Sequence, residues 1–429
     1  MFGNQVKAQA LHRGKPLAMS DAAQEAFEKL IDPSAAIKLE RAALVMRIET
    51  AVNQLSADQL LAYNRAELEV LVQQLTDDMT GVGPIQPLVD DSSISDILVN
   101  GPDQVYIERH GQLSKVDVSF RDEQHLLNIA QRIVNAVGRR LDESTPLVDA
   151  RLADGSRVNI IAPPLSLNGV CISIRKFPER KFDLMGMAKI GSLTEEMAQL
   201  LTMTAQARLN VLVSGGTGAG KTTLLNAMSA PISEAERIIT IEDAAELSLS
   251  QPHWIQLETR TASSEGTGAV TIRDLVKNAL RMRPDRIILG EVRGAEAFDM
   301  LQAMNTGHDG SLCTLHANSP HDALLRLENM LMMGAEKIPS HVLRQQISAA
   351  IDIVVQLERS HDGKRRVTAI SAVGECVDGE IALSPLFEYH LSTSSEGEYH
   401  KGALPSVLVE RARHFDLHES MQALFEGAK

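Results

Sequence analysis

Cysteine, aromatic residues and long apolar runs are all scarce in this chain. Only three cysteines occur in 429 residues, Cys171, Cys313 and Cys376. They stand far apart and form no C-x-x-C pair, which argues against a disulfide framework or a zinc knuckle and fits a reducing compartment. Aromatic residues make up 3% of the chain, too few for a platform on which single-stranded nucleic acid would stack. Positive charge is outweighed, with 42 Lys and Arg against 56 Asp and Glu and a formal net charge of −14. That excludes a surface basic throughout, and no direct nucleic-acid partner is expected. No run of about 18 apolar residues occurs, so no membrane-spanning segment is expected. The opening Met1-Phe2-Gly3-Asn4-Gln5-Val6-Lys7 has no apolar signal core. Work at a membrane would run through partners, from the cytoplasmic side.

The remaining composition is that of a soluble globular protein, 44% apolar and 23% charged. The length is too great for one core, so two or three domains are expected. Residues 1–20 show no periodicity and read as a mobile tail. A helix is expected over 21–31. A second amphipathic helix carries Ile37, Leu44, Ile48, Val52 and Leu55, with a ragged start at Arg41. Asn64 and Glu67 resemble a capping box, and Leu68, Leu71, Leu75 and Met79 continue a helical face toward Gly81. Residues 1–80 are thus a tail and a small helical module, with packing or oligomerisation as its plainest role. After the break at Gly81–Pro87 the period shortens to that of strands. Strands are expected over 96–100, 104–108, 113–120, 157–162 and 170–174, with a helix over 122–138 and a turn at Arg151–Arg157. This is an α+β domain over 81–180. Residues 181–191 are expected to form a hinge linker. From 192 to 429 strands and helices alternate, which predicts a parallel sheet covered on both faces. A hairpin from about Val367 and a charged helix capped by Ser406 follow.

The third region is organised around Gly215-Gly216-Thr217-Gly218-Ala219-Gly220-Lys221-Thr222, followed by Thr223. These residues satisfy G-x-x-x-x-G-K-[ST], and the pattern stands between a short apolar strand and a helix opening, the context it requires. Glycines let the backbone curl so that several N–H groups point at phosphate oxygens. The helix N-terminus adds its positive end. Lys221 is expected to reach the β- and γ-phosphates of ATP, and the Thr222 hydroxyl to hold Mg²⁺.

Mg²⁺ wants carboxylate or water oxygens, and two strands end in acids. One runs into Glu242, Asp243 and Glu246, the other into Gly290, Glu291 and Arg293. Ligands of such sheets sit at the carboxyl ends of strands. Glu291 is therefore a candidate metal partner, acting through water, and Glu246 a candidate to orient the attacking water. His308 and His316 bracket a strand beside the site. Their spacing is not that of a zinc helix, but a neutral histidine near the γ-phosphate would sense hydrolysis. Arg151, Arg157 and Arg175 gather in the preceding domain. A planar, permanently charged donor suits a transferring phosphoryl group, and a hinged domain or a neighbouring subunit is able to supply it.

These motifs come in a fixed order. Arg151–Asn159, Ser173–Phe177, the phosphate loop, Thr240–Asp243, Arg281–Gly294, Thr306–Gly310 and Thr314–Ser319 together resemble the secretion ATPase superfamily of type II and type IV secretion and type IV pili. The resemblance runs over about 65–390 and is strongest to the CpaF-like ATPases that assemble Tad (Flp) pili. It implies a RecA-like ATPase domain preceded by a PAS-like α+β domain. It further implies a cytoplasmic homohexamer at the inner face of the bacterial inner membrane, with ATP bound between the two domains. On this resemblance Glu246 is the catalytic glutamate of the Asp box, Glu291 the Walker B glutamate, and His308 and His316 the His box. Arg151, Arg157 and Arg175 would engage the phosphates, and hydrolysis would turn inner-membrane platform proteins that extract pilin. The Asp box here reads Glu242-Asp243-Ala244-Ala245-Glu246, where pilus motors often carry Glu-Asp-Pro. The tetracysteine zinc insert of some type II ATPases is absent. Three other readings compete with a Tad pilus motor: the ATPase of a type IV secretion channel for protein or DNA, a non-hydrolysing nucleotide-binding scaffold, and a phosphotransfer enzyme with a small acceptor. Lys221, Thr222, Glu246 and Glu291 together argue against the scaffold.

Overall fold

The structure, a computed structural model, describes residues 17, 19–31, 39–109, 111–176, 182–260, 262, 267–334, 338–360, 363–390 and 397–426. The tail expected over 1–20 lies almost wholly outside the described residues. The chain divides into two compact units, Met1–Glu179 and Arg180–Lys429.

The first unit opens with helices α1 (Asp21–Leu30), α2 (Arg41–Ala57) and α3 (Arg65–Thr80). The capping box is present: the Asn64 side chain accepts from Glu67 N, and Glu67 accepts from Asn64 N. Leu44, Ile48, Val52 and Leu55 of α2 bury against Leu71 and Leu75 of α3. Arg41 donates to the buried Asp77 at 2.8 Å, tying the start of α2 to the end of α3. A short turn, Gly83–Ile85, and α4 (Gln86–Asp90) lead to β1 (Ile94–Asn100), β2 (Val105–Arg109) and β3 (Gln112–Val116). Helix α5 (Glu123–Ala136) follows, then β4 (Leu147–Arg151), β5 (Arg157–Ile161) and β6 (Cys171–Arg175). The six strands form one sheet in the order β3-β2-β1-β6-β5-β4, antiparallel throughout. Alternate residues such as Ile97, Val99, Val158, Ile160, Ile172 and Ile174 face a core shared with Leu126, Ile129 and Ile133 of α5. The stretch read as a turn from Arg151 to Arg157 is a hairpin whose two ends are already in strands. β4 escapes a sequence reading because only Val148 and Ala150 of its five residues are apolar and buried.

The second unit begins with a correction. Residues 184–189, read as part of a hinge linker, form helix α6 (Leu184–Lys189), capped by Asp183. Leu184 and Met187 are buried in the core of this unit. Two apolar residues three apart make an anchoring face too short to show as a period. Then follow α7 (Glu195–Gln206), β7 (Val211–Gly215), α8 (Lys221–Ser229), β8 (Ile238–Glu242), β9 (Trp254–Glu258), α9 (Ile272–Ala279), β10 (Arg286–Leu289), α10 (Glu296–Asn305) and β11 (Leu312–Leu315). The unit continues through α11 (Pro320–Gly334), α12 (Ser340–Ala350), β12 (Ile353–Arg359), β13 (Arg365–Val377), β14 (Glu380–His390), β15 (Glu398–Lys401), α13 (Ser406–Arg413) and α14 (His418–Phe425). Pro405, not Ser406, occupies the cap position of α13.

Nine strands form one sheet in the order β15-β14-β13-β12-β7-β11-β10-β8-β9. The strands from β12 to β9 run parallel, and β13 to β15 add antiparallel edges. β7 sits in the middle and is buried along its whole length. Val211 and Val213 point into one core and Leu212 into the other. This is the near-continuous apolar strand expected where both faces are covered. The fold thereby aims the end of β7, and the loop that follows, out of the carboxyl edge of a rigid sheet.

Candidate functional site

Gly215 ends β7 and turns the chain into the loop. A Cβ there would stand 2.5 Å from the Leu357 carbonyl oxygen of neighbouring β12, so only glycine fits. Gly218 and Gly220 adopt positive φ of 71° and 100°, a region glycine enters without steric cost. Gly220 is the residue that caps α8. The loop therefore presents its backbone donors at the first turn of that helix, an arrangement suited to phosphate.

Lys221 is the first residue of α8, and its Nζ donates to the carbonyls of Gly215 at 2.9 Å and Gly216 at 3.0 Å. Nζ also lies 3.4 Å from His316 Nδ1. His316 stands just past the carboxyl end of β11, which pairs with β7 through Leu315 and Ser214. Its Nε2 is 2.8 Å from Glu291 Oε1. Lys221 only donates, so Nδ1 accepts and the ring proton belongs on Nε2. That nitrogen is near Glu291 Oε1 without hydrogen-bonding it, and Oε1 is buried with no hydrogen-bond partner among the described residues. Burial lowers the pKa of His316, and the Lys221 charge lowers it further, which favours this neutral form. Burial also lowers the pKa of Lys221, against the pull of Glu291. Lys221, His316 and Glu291 thus form one chain of contacts across the mouth of the loop.

Glu291 follows β10 and is also held by Arg293, Nη2 to Oε2 at 2.6 Å. Arg293 reaches Asp243 with its other arm at 3.1 Å. Its pKa is raised, first by the hydrogen bond to Glu291. The carboxylate that meets Thr222 is Glu246: the Thr222 hydroxyl donates to Glu246 Oε2 at 3.4 Å. Glu291, expected to reach the metal through water, is turned toward Arg293 and His316. Among the described residues no group of three or more His, Cys, Asp or Glu is arranged to hold a metal ion. One hydroxyl and nearby carboxylates fit Mg²⁺, which keeps several waters and binds through few protein ligands plus substrate phosphates.

Glu242 positions Glu246. It ends β8 with 3% of its surface exposed. Its Oε1 accepts from the backbone N–H groups of Glu246 at 2.9 Å and Leu247 at 3.0 Å. Its Oε2 is buried without a hydrogen-bond partner. Burial raises the Glu242 pKa to about 7. Gly290 makes room for it, since a Cβ there would stand 2.7 Å from Glu242 Cγ. Glu242 and Arg293 were legible only as acids and bases near strand ends; their connecting roles depend on β8 and β10 lying side by side.

His308 is not brought to the loop. It precedes β11 on its amino side, and its Nδ1 contacts the Ala303 carbonyl at 3.2 Å. A four-residue strand at about 3.3 Å per residue separates it from the carboxyl edge where His316 stands. Arg151, Arg157 and Arg175 belong to the first unit. The sheet there sets them side by side: Arg151 opposes Arg157, and Arg157 opposes Arg175. Directly opposed residues share a face, so the three form a row on the face away from the core, ending at Asp96, to which Arg175 donates at 3.1 Å. Arg157 lies 3.7 Å from Asp149, and Arg151 donates to the Gly155 carbonyl at 3.1 Å. Like charges in a row repel, and an anion would relieve that.

The sequence profile of the family described as Type II/IV secretion system protein matches residues 78–383. A Mycobacterium tuberculosis protein, assigned provisionally by its name to conjugal transfer, is 40% identical over 354 residues, 81% of this chain and 99% of that one. The type IV secretion system protein PtlH of Bordetella pertussis is 36% identical over 313 residues, 67% of this chain and 92% of that one. Among solved structures, the VirB11 ATPase of the Brucella suis type IV secretion system is 30% identical, covering 67% of this chain and 91% of that one with a TM-score of 0.37.

Proposed function

Since the chain belongs to the type II/IV secretion system protein family, we propose that it hydrolyses ATP and couples the reaction to the movement of a secretion or pilus machine. The observation that carries this reading is the joining of Lys221, His316 and Glu291 at one side of the phosphate loop, with Glu246 against Thr222. When bound, Mg²⁺ would neutralise phosphate charge, with Thr222 as its protein ligand and Glu246 and Glu291 within reach through water. Lys221 exchanges the carbonyls of its own loop for the β- and γ-phosphates. Glu246, fixed by Glu242, orients the attacking water. His316 is neutral and hydrogen-bonds where the γ-phosphate ends, so it links the state of the phosphate to Glu291. The arginine row of the first unit supplies charge to the phosphates, in the same protomer or across a homohexameric ring.

The order of motifs favours assembly of a Tad pilus through inner-membrane platform proteins. A second reading, service to a type IV secretion channel, is favoured by relatives named for conjugal transfer and type IV secretion. Steady-state phosphate release separates the motor from a non-hydrolysing scaffold. Turnover by the wild-type protein that disappears in Lys221→Ala is expected, because the β- and γ-phosphates lose their cation. Undiminished turnover in that variant would sink the assignment. Deletion of the gene then separates the machines: lost surface pili mark the first reading, and lost export or DNA transfer with pili intact marks the second.

A further inference from the structure

The flank of the phosphate loop opposite Lys221 and His316 carries two arginines that none of the motifs includes. β12 runs beside β7 with Leu357 opposite Gly215, and continues two residues further, to Arg359, alongside the loop. In the next strand Arg365 lies directly opposite Arg359. Opposed residues share a face, and so do residues two apart on one strand. Arg359 and Arg365 are therefore on the same face as Leu357, whose Cδ2 lies 3.9 Å from the point where a Cβ would stand on Gly220. Arg365 Cδ lies 3.6 Å from that point, and Arg359 Nη1 lies 3.9 Å from the corresponding point on Gly218. Both side chains thus reach the glycines that shape the phosphate cradle. Each is exposed. Among the described residues neither guanidinium has an ion-pair partner, although Arg293, Arg286 and Arg411 in the same unit all do. Two cations placed directly opposite each other repel, so the hairpin holds positive charge against the loop at a cost that an anion would offset.

The direction of the nucleotide follows from the sheet. β7 lies between β11 and β12. The β11 flank carries His316 and, beyond it, Glu291, the groups suited to the γ-phosphate and its metal. A phosphate chain whose γ end lies on that flank has its α end toward β12. Guanidinium is the side chain best matched to phosphate oxygens, with two parallel donors. We propose that Arg359 and Arg365 form a guanidinium pair that holds the α-phosphate of the bound nucleotide. This rests on the reading of the loop as a nucleotide site.

The test measures ADP, a non-hydrolysable ATP analogue and pyrophosphate by calorimetry, and KM and kcat by phosphate release, for the wild type and two double variants. In Arg359→Ala/Arg365→Ala, affinity for ADP and for the analogue should each fall about tenfold or more, by a common factor. KM should rise with them while kcat changes far less, the pattern of lost uniform binding. Pyrophosphate, which has no α position, should bind as before. Arg359→Lys/Arg365→Lys keeps the charge without the fork and should recover part of the loss. Unchanged ADP affinity and KM would overturn the proposal. So would an equal loss for pyrophosphate, which would place the pair on the other phosphates, or a fall in kcat alone. A folded wild-type protein that binds no nucleotide would overturn the loop reading itself, an outcome distinct from all of these.

Discussion

Glu242 is where the structure makes its most demanding claim. Its carboxyl is buried, yet it anchors the turn that carries Glu246. Burial raises its pKa from the ordinary 4.5 to about 7. The folded value lies above the unfolded one, so the fold holds this proton more tightly than the unfolded chain does. Stability from the group is then fully present below pH 4.5 and is lost as the pH rises through 7. The gap corresponds to about 3 kcal/mol in total, most of it falling between pH 5 and pH 8. Glu242→Gln keeps an oxygen for the two N–H groups but cannot titrate. It should match the wild type at pH 5 and be more stable by about 2 to 3 kcal/mol at pH 8. Glu242→Ala removes the acceptor, leaves two backbone donors unpaired and should lose roughly 2 kcal/mol or more at pH 5; alanine does not titrate either, so that deficit should shrink by about 2 to 3 kcal/mol at pH 8. The only tryptophan of the chain reports on this region: Trp254 lies in β9, paired with β8, and donates to Thr240 at 2.9 Å. Urea unfolding followed by its fluorescence reads the second unit alone. Identical pH slopes in the wild type and Glu242→Gln, or an alanine variant as stable as the wild type at pH 5, would refute the reasoning.

Three further outcomes are expected. Glu246→Gln should leave nucleotide affinity nearly intact and slow hydrolysis at least tenfold; titration beside single-turnover assays checks this, and collapsed affinity would make Glu246 a binding residue instead. Arg157→Ala should lower turnover while nucleotide still binds, and unchanged turnover would remove the arginine row from the reaction. The Arg286 side chain is 1% exposed, clamps Glu236 at 2.7 and 2.9 Å and donates to the Ala205 carbonyl. Arg286→Met strands Glu236 with only Arg208 nearby and should cost roughly 3 kcal/mol, read again from Trp254; a loss under about 0.5 kcal/mol would show that the pair contributes little.

The phosphate loop, the strand before it and the helix after it were legible in the chain itself, because each is local. Glycines set the turn, apolar residues the strand, and Lys221 and Thr222 follow by position alone. The same holds for the capping box at Asn64 and for the alternating elements of the second unit. Tertiary structure decided which charged groups meet. Glu291 and Glu246 look equivalent in sequence, each an acid after a strand. Only the neighbouring of β8, β10 and β11 sends one to His316 and Arg293 and the other to Thr222. His308 and His316 look alike as well, until β11 places them at opposite edges of the sheet. Helix α6 showed no period, since two buried residues are too few to make one. Arg359 and Arg365 lie more than 130 residues from the loop they flank, and no spacing rule joins them to it. Local backbone preference acts over a few residues and is therefore written in the sequence. Strand order acts between segments far apart in the chain, and it is strand order that turns the phosphate loop from a motif into a site.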